Sequence, residues 1–403
     1  MTAKSPLLNR RTILAAGVAT LAMPAVLRAD PAPVKLGLIH PVTGALAFSG
    51  SQCRLGGQMA IADVNAAGGI KSMGGAKLEA LLGDAQLRPE LAASLVDQMA
   101  EAGASGFTGC FSSSLGLAAT QAAAKYNLPF SIDSGVADNL TTRGLTNTFR
   151  LFPSASPIVA DAVTELDEVN KNAGSPVKSA VLVHENSEFG TNTATALKDK
   201  LPGIGIKVLE LMPHATPTRD FTNIALRIKE QKPELVIISN YVNEYMLLIR
   251  TLVQQRVPLV AMFSVLGGGF GLKFAKEQPG ISDYVMDFNQ WYNPRKPASL
   301  AFRERVESAG GTFTWEILFG YYAVGLLADG FEHAGTSDKA KVIPALAAST
   351  YYPEMLPYGP TSFIGGQNKG GHAVGLQIQK GDIKTIWPSQ FADAKPVFPR
   401  PKV

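Results

Sequence analysis

Apolar and polar positions alternate along this chain in two kinds of block. Runs such as Val34-Lys-Leu-Gly-Leu-Ile-His40 are almost wholly apolar and end in turn residues, the pattern of strands buried on both faces. Between them lie longer stretches with apolar residues every three or four positions, which predict helices. The first series reads as strand 34–40, a helix from Leu55 to Ala66 closed by Gly68-Gly69, and a strand from Lys77 to Gly83. A helix from Glu90 to Ala102, a strand from Gly106 to Phe111, an Ala-rich helix from Leu115 to Tyr126 and a strand from Pro129 to Ile132 complete it. The rhythm then restarts with strands at Ser179 to His184, Lys207 to Leu211, Leu235 to Ser239 and Leu259 to Phe263. Helices from Gly190 to Leu201, Asp220 to Gln231 and Glu244 to Gln255 separate them. Two such series predict an α/β protein of two doubly wound parallel-sheet lobes, with a first switch near Phe152-Pro153-Ser154. After Tyr284 come a strand, three helices (Leu300 to Glu307, Ile317 to Ala334, Asp338 to Ala348) and two strands (Val374 to Gln379, Thr385 to Pro388). The tail beyond Ala394 is proline-rich and reads as extended.

The first 29 residues follow a different pattern. Lys4, Arg10 and Arg11 precede a short apolar run from Ile13 to Leu27, and Ala29 fits the last position before cleavage. This is the form of a secretory signal, and the adjacent arginines point to the twin-arginine export route of a bacterium. Gly17, Thr20 and Pro24 interrupt a run already shorter than the roughly 20 residues of a spanning helix, which disfavours a membrane anchor. The segment also changes the charge argument. It holds Lys4, Arg10, Arg11 and Arg28 and no acid, so the formal +4 becomes 33 basic against 33 acidic residues once it is removed. A neutral chain without a basic stripe excludes nucleic acid as an expected partner. The expectation is an exported, soluble, monomeric periplasmic protein, not inserted in the membrane after cleavage. Its 46% hydrophobic content is enough to fill two cores.

Only Cys53 and Cys110 are present. In an oxidising compartment they could bridge, or they could be two separate buried thiols; sequence leaves both open. No metal-type cysteine spacing occurs. Catalytic patterns are equally missing: His184-Glu185 has no second histidine at helical spacing, the serines lack a Gly-x-Ser-x-Gly elbow, and Gly69 to Lys77 lacks the ending of a phosphate loop. No cofactor, metal or enzymatic activity is expected.

Ligands of open α/β sheets lie beyond the carboxyl ends of the strands. Those positions carry His40 to Gly50, Gly109 to Ser114 and Asp133 to Val136 in the first lobe. In the second they carry Glu185 to Gly190, Asn240-Tyr241 and Phe263 to Gly271. Ser112-Ser113-Ser114 stands directly before a helix, where hydroxyls and free N–H groups together suit a carboxylate. Simple helix capping is the alternative reading. Ser134 is placed in the same way after the next strand.

A series of segments then matches a family. Leu36 to Gly44, Ala60 to Ile70, Gly109 to Ser114, Thr141 to Gly144, Phe149-Arg150, Glu188 to Gly190, Asp220-Phe221 and Gly320 to Ala323 occur in the order found in branched-chain amino acid type periplasmic binding proteins of ABC importers. The resemblance spans nearly all of the chain after the signal. It implies a type I fold whose two lobes, joined by three crossovers, close over a ligand. The first lobe would comprise 34–152 plus 285–348 and the second 153–284 plus 349–395, with 1–29 a signal peptide and 396–403 a tail. It also implies a membrane permease as partner. By position, Ser113 matches the serine that holds the ligand carboxylate and Ser114 follows it. Ser134 matches a backbone contact, Val136 replaces a ligand-binding threonine, Phe189 stands where tyrosine is common, and Tyr241 matches a ligand-facing tyrosine. Phe48 and Ser49 fall on a first-lobe loop that lines the pocket.

One departure alters the expected ligand. Members that bind amino acids carry an acid after the strand equivalent to Leu259 to Phe263, and this chain reads Phe263-Ser264-Val265-Leu266-Gly267 there. A desolvated ammonium without an anionic partner costs several kcal/mol. The resemblance therefore predicts a small organic carboxylate, aromatic in one form, with Phe48, Phe189 and Trp291 or Trp315 as apolar walls. A counter-reading lets Asp133 or Glu185 supply the missing charge, which would restore branched-chain or other aliphatic amino acids as ligands. An exported sensor for a membrane signalling protein, and a hydrolase, are the readings from other classes.

Overall fold

The computed structural model describes residues 31–401, so the predicted signal segment lies outside the described residues. Two seven-stranded sheets form the scaffold. The first contains β1 (Val34–His40), β2 (Leu78–Asp84), β3 (Gly106–Gly109), β4 (Phe130–Ile132) and β5 (Thr148–Arg150). The second contains β6 (Ser179–Glu185), β7 (Lys207–His214), β8 (Leu235–Ser239), β9 (Ala261–Val265) and β10 (Met286–Asn289). β11 (Phe363–Ile364) and β12 (Gln367–Asn368) complete the first sheet, and β13 (Val374–Gln379) and β14 (Asp382–Trp387) complete the second.

The orders are β11-β12-β5-β4-β3-β1-β2 and β14-β13-β10-β9-β8-β6-β7. Each sheet thus repeats one parallel five-strand order and adds a two-strand antiparallel extension at the same edge. The central strands β1, β3, β6, β8 and β9 are buried almost throughout, which explains why they read as continuous apolar runs.

The chain crosses between sheets three times. β5 leads into a helix, Ala155–Asn172, that packs on the second sheet. Its stripe of Ile158, Val159, Ala162, Val163, Leu166 and Val169 is buried. The sequence reading assigns no element there. β10 pairs with β9 and β13 in the second sheet, and β12 pairs with β5 in the first. The expected boundaries therefore shift: 285–289 belong to the second lobe and 349–368 to the first. The pairing of β10 with β9, and of β12 with β5 217 residues earlier, decides this. The tail packs on the second lobe, where the Arg400 amide donates to the Val260 carbonyl at 2.9 Å.

Side chains fasten the crossovers to one another. Gln367 donates to the Phe152 carbonyl at 2.8 Å, Asn368 to that of Leu151 at 2.8 Å, and Gln290 to that of Pro153 at 3.0 Å. Arg150 is buried beside them. Its Nε donates to Gln367 Oε1 at 2.7 Å and its Nη1 to the carbonyls of Gly135 and Ala137 at 2.9 and 2.8 Å.

One helix pair positions the first-lobe face of the cleft. Ala47–Ala66 packs lengthwise on Trp315–Ala334. The backbones approach so closely that a Cβ on Gly56 would stand 1.8 Å from the Ile317 oxygen, and one on Gly320 would stand 2.0 Å from the Cys53 oxygen. Glycine on both helices permits this seam. The first of these helices begins at Ala47, eight residues before the expected start, so Phe48 and Ser49 sit in its first turn and not on a loop. Among the described residues no helix is long and apolar enough to cross a membrane.

Candidate functional site

The carboxyl ends of both sheets face one cleft, lined by Phe111, Ser113, Ser134 and Val136 from the first lobe and Phe189, Tyr241, Leu266, Gly268, Asn289 and Gln290 from the second. Trp315 closes one side. Of the residues expected from sequence, Ser113, Ser134, Val136, Phe189 and Tyr241 are brought together here. Three are not. Ser114 turns to Ser112, with their hydroxyls 2.9 Å apart; Ser49 bonds Glu316; and Phe48 lines a neighbouring chamber.

The serine turn leaves hydrogen-bond donors unused. The helix Ser113–Lys125 starts after Ser112, whose side chain makes no capping bond, so its hydroxyl does not occupy the free N–H groups of the first turn. Ser113 Oγ accepts from the Ala137 amide at 3.2 Å, which leaves its proton free to donate. Capping as the sole role of the triplet is thereby disfavoured. Ser134 Oγ lies 3.3 Å from Cys53 Sγ.

Acidic residues near the cleft are turned inward. Asp133 is buried and pairs with His40 Nε2 at 2.9 Å, while its other oxygen accepts the amides of Phe111 and Ser134 at 3.0 and 2.6 Å. Burial alone would raise this carboxyl; the His40 and backbone bonds hold it below its ordinary value. It serves as the peg for two turns that reach the cleft. Glu185 does the same in the second lobe, accepting from Gly190 N at 2.6 Å and from Ser187 N and Oγ at 2.7 and 2.9 Å. Neither lines the cleft, so the structure does not support either as the missing partner of an ammonium. Asp287, pushed up to about 7 by burial, accepts from Gly267 N and Asn289 Nδ2 and so fixes two lining segments from behind.

None of the eleven lining residues is charged. The walls are aromatic: Tyr241 packs between Phe189 and Phe111, with ring centroids 5.3 and 5.8 Å away, and Phe111 faces Trp315 at 6.3 Å. Tyr241 belongs to the second lobe and Phe111 to the first, so this stack crosses the cleft. Three hydrogen bonds also span it: Tyr241 OH to Ser112 Oγ at 3.4 Å, Asn139 Nδ2 to Glu188 Oε1 at 2.6 Å, and Asn243 Nδ2 to the Ala45 carbonyl at 3.4 Å.

Sequence reasoning missed Phe111, Leu266, Gly268, Asn289 and Gln290 as individual candidates. The first three fall within turns it had singled out. Phe111 follows β3 and Leu266 follows β9, and both have positive φ, 60° and 59°. Non-glycine residues in this region concentrate at ligand sites. Asn289 ends β10 and Gln290 follows it, so placing that strand in the second sheet would have pointed to them. Cys53 and Cys110 are both free and buried, and no disulfide joins them. Burial pushes both thiols well above their ordinary value.

Two lobes, a cross-lobe apolar cleft and a hinge of three crossovers define a receptor that encloses a small molecule. The chain belongs to the periplasmic binding protein family, whose profile matches residues 33–381. It is 25% identical over 408 residues to the Leu/Ile/Val-binding protein homolog 8 of Brucella abortus (strain 2308), covering 96% of this chain and 98% of that one. A solute-binding protein of an ABC transporter from R. palustris, solved in complex with benzoate, superposes with a TM-score of 0.77 at 19% identity, covering 88% of this chain and 95% of that one. A branched-chain amino acid transporter substrate-binding protein from Streptococcus pneumoniae, solved with isoleucine, gives 0.74 at 19% identity, covering 87% and 97%. At these identities the solved structures speak for the fold. The protein is a periplasmic binding protein, a ligand receptor and not an enzyme.

Proposed function

We propose that this receptor captures a small organic carboxylate, with an aromatic or similarly apolar body and no α-ammonium, and delivers it to the permease of an ABC importer. The observation that carries this reading is the charge-free lining of the cleft beside an uncapped serine turn. A carboxylate at Ser113 gains the hydroxyl and first-turn N–H groups, while the aromatic stack covers an apolar body. An α-amino acid would leave its ammonium without an anionic partner. The benzoate bound to the R. palustris protein is a ligand of this chemistry. Export by the twin-arginine route and work as a monomer belong to the same reading.

Closure follows from the bridging residues. Tyr241 and Phe189 move with the second lobe, Ser113 and Phe111 with the first, so a ligand touching all four stabilises the closed state and not the open one. Native mass spectrometry of protein purified from its own host tests the proposal. A retained organic acid without an amine on its α-carbon supports it; retained leucine, isoleucine or valine would replace it with the amino-acid reading.

A further inference from the structure

A second, smaller chamber adjoins the cleft, also lies between the lobes, and shares Trp315 and Gly268 with it. Phe48, Trp291, Met246 and Phe270 give it an apolar wall. Glu316 is the sole carboxylate lining either chamber, and it is 2% exposed. The chamber is built, not incidental. Glu316 sits in the first turn of the helix locked by the Gly56 and Gly320 seam, and Ser49 Oγ donates to its Oε1 at 3.0 Å. Thr314, in the same wall, is a second polar side chain beside that carboxyl. The cation in the chamber wall, Lys273, is itself exposed and lies over the Phe48 ring with Nζ 5.1 Å from its centroid. Burial pushes Glu316 up to about 7. A glutamine would accept the Ser49 bond equally well without the cost of burying a charge.

We propose that the second chamber is a subsite for an amine at the far end of a longer carboxylate ligand, such as an ω-amino or aminoalkyl-aryl acid. Its carboxylate rests at Ser113, its body crosses the Trp315 indole, and its ammonium pairs with Glu316. Trp315 and Gly268, common to both chambers, form the passage. This inference rests on the carboxylate reading above and extends it: the charge absent from the cleft lies one chamber further on.

Calorimetric titration with benzoate, para-methylbenzoate and para-(aminomethyl)benzoate tests it on the wild-type protein and on Glu316→Gln. The aminomethyl acid should bind the wild type about tenfold or more tighter than its methyl counterpart, as a charge-assisted pair requires. Glu316→Gln should erase that advantage and leave benzoate affinity unchanged. An aminomethyl acid no better than the methyl acid overturns the subsite while benzoate binding keeps the carboxylate reading intact. An advantage that survives in Glu316→Gln also overturns it. If leucine binds and none of the three acids does, the carboxylate reading itself has failed and the subsite falls with it. The wild-type comparison decides the matter even if the variant folds poorly, which thermal melting would reveal.

Discussion

Replacing Ser113 by alanine separates two consequences that the geometry keeps distinct. Its hydroxyl oxygen accepts from the Ala137 amide at 3.2 Å, which leaves its proton free to donate. Loss of a donor to a charged group costs about 1.5–3 kcal/mol, so affinity should fall by about 10- to 150-fold. The Ala137 amide meanwhile loses its acceptor in a buried turn, at a cost of about 1–3 kcal/mol to the folded state. That second cost applies equally with and without ligand and cancels from the binding constant. Calorimetry should therefore show the weakened affinity, and thermal melting without ligand should show a lower midpoint. Ser114→Ala is the control, because Ser114 faces Ser112 and not the cleft; its affinity should stay within about twofold of wild type, well under the 1.4 kcal/mol of a tenfold change. A lowered melting point with unchanged affinity in Ser113→Ala would refute the argument and reduce Ser113 to a turn-holding residue.

Other residues give independent expectations. Tyr241→Ala should weaken binding more than Ser113→Ala, by about 3 kcal/mol or more, since it removes the ring between Phe111 and Phe189 and a cross-lobe contact; small-angle scattering should then show little ligand-induced compaction. Arg150→Met should lower stability by about 2–4 kcal/mol in urea unfolding, because the carbonyls of Gly135 and Ala137 lose their donor in the interior. Glu316, with its folded value raised to about 7 from 4.5, binds more protons folded than unfolded between those pH values. Its contribution is fully present below about pH 4.5 and is lost as pH rises through 7, so Glu316→Gln should gain stability relative to wild type across that window and hold the gain above it. Thiol titration should find Cys53 and Cys110 unreactive in the native protein and both reactive in denaturant, with no change in melting point on adding reductant.

Most strands were legible because a strand buried on both faces leaves a continuous apolar run, as in Val34 to His40 and Leu235 to Ser239. The Ala155–Asn172 helix was also legible, in the spacing of Ile158, Val159, Ala162, Val163 and Leu166, but the Phe152-Pro153-Ser154 switch drew the reading past it. The sheet membership of β10 and β12 was not legible, since those strands find their partners through long-range pairing. The site divides along the same line. The turns that hold Ser113, Phe189 and Tyr241 follow strands that local pattern reveals, and the family resemblance singled out the individual residues within them. Phe48 and Ser49 were misplaced because the helix starts at Ala47, in a stretch whose small and polar residues give a weak apolar stripe. Asn289 and Gln290 depend on where β10 pairs, and Glu316 depends on a helix seam made by two glycines far apart in sequence.

The charge-free cleft beside the serine turn is the centre of this account, and parallel calorimetric titrations of the ligand-stripped protein with benzoate and with leucine test it most directly. The account predicts saturable heat with benzoate and much weaker binding, or none, with leucine. Tight leucine binding with no heat from benzoate would contradict it.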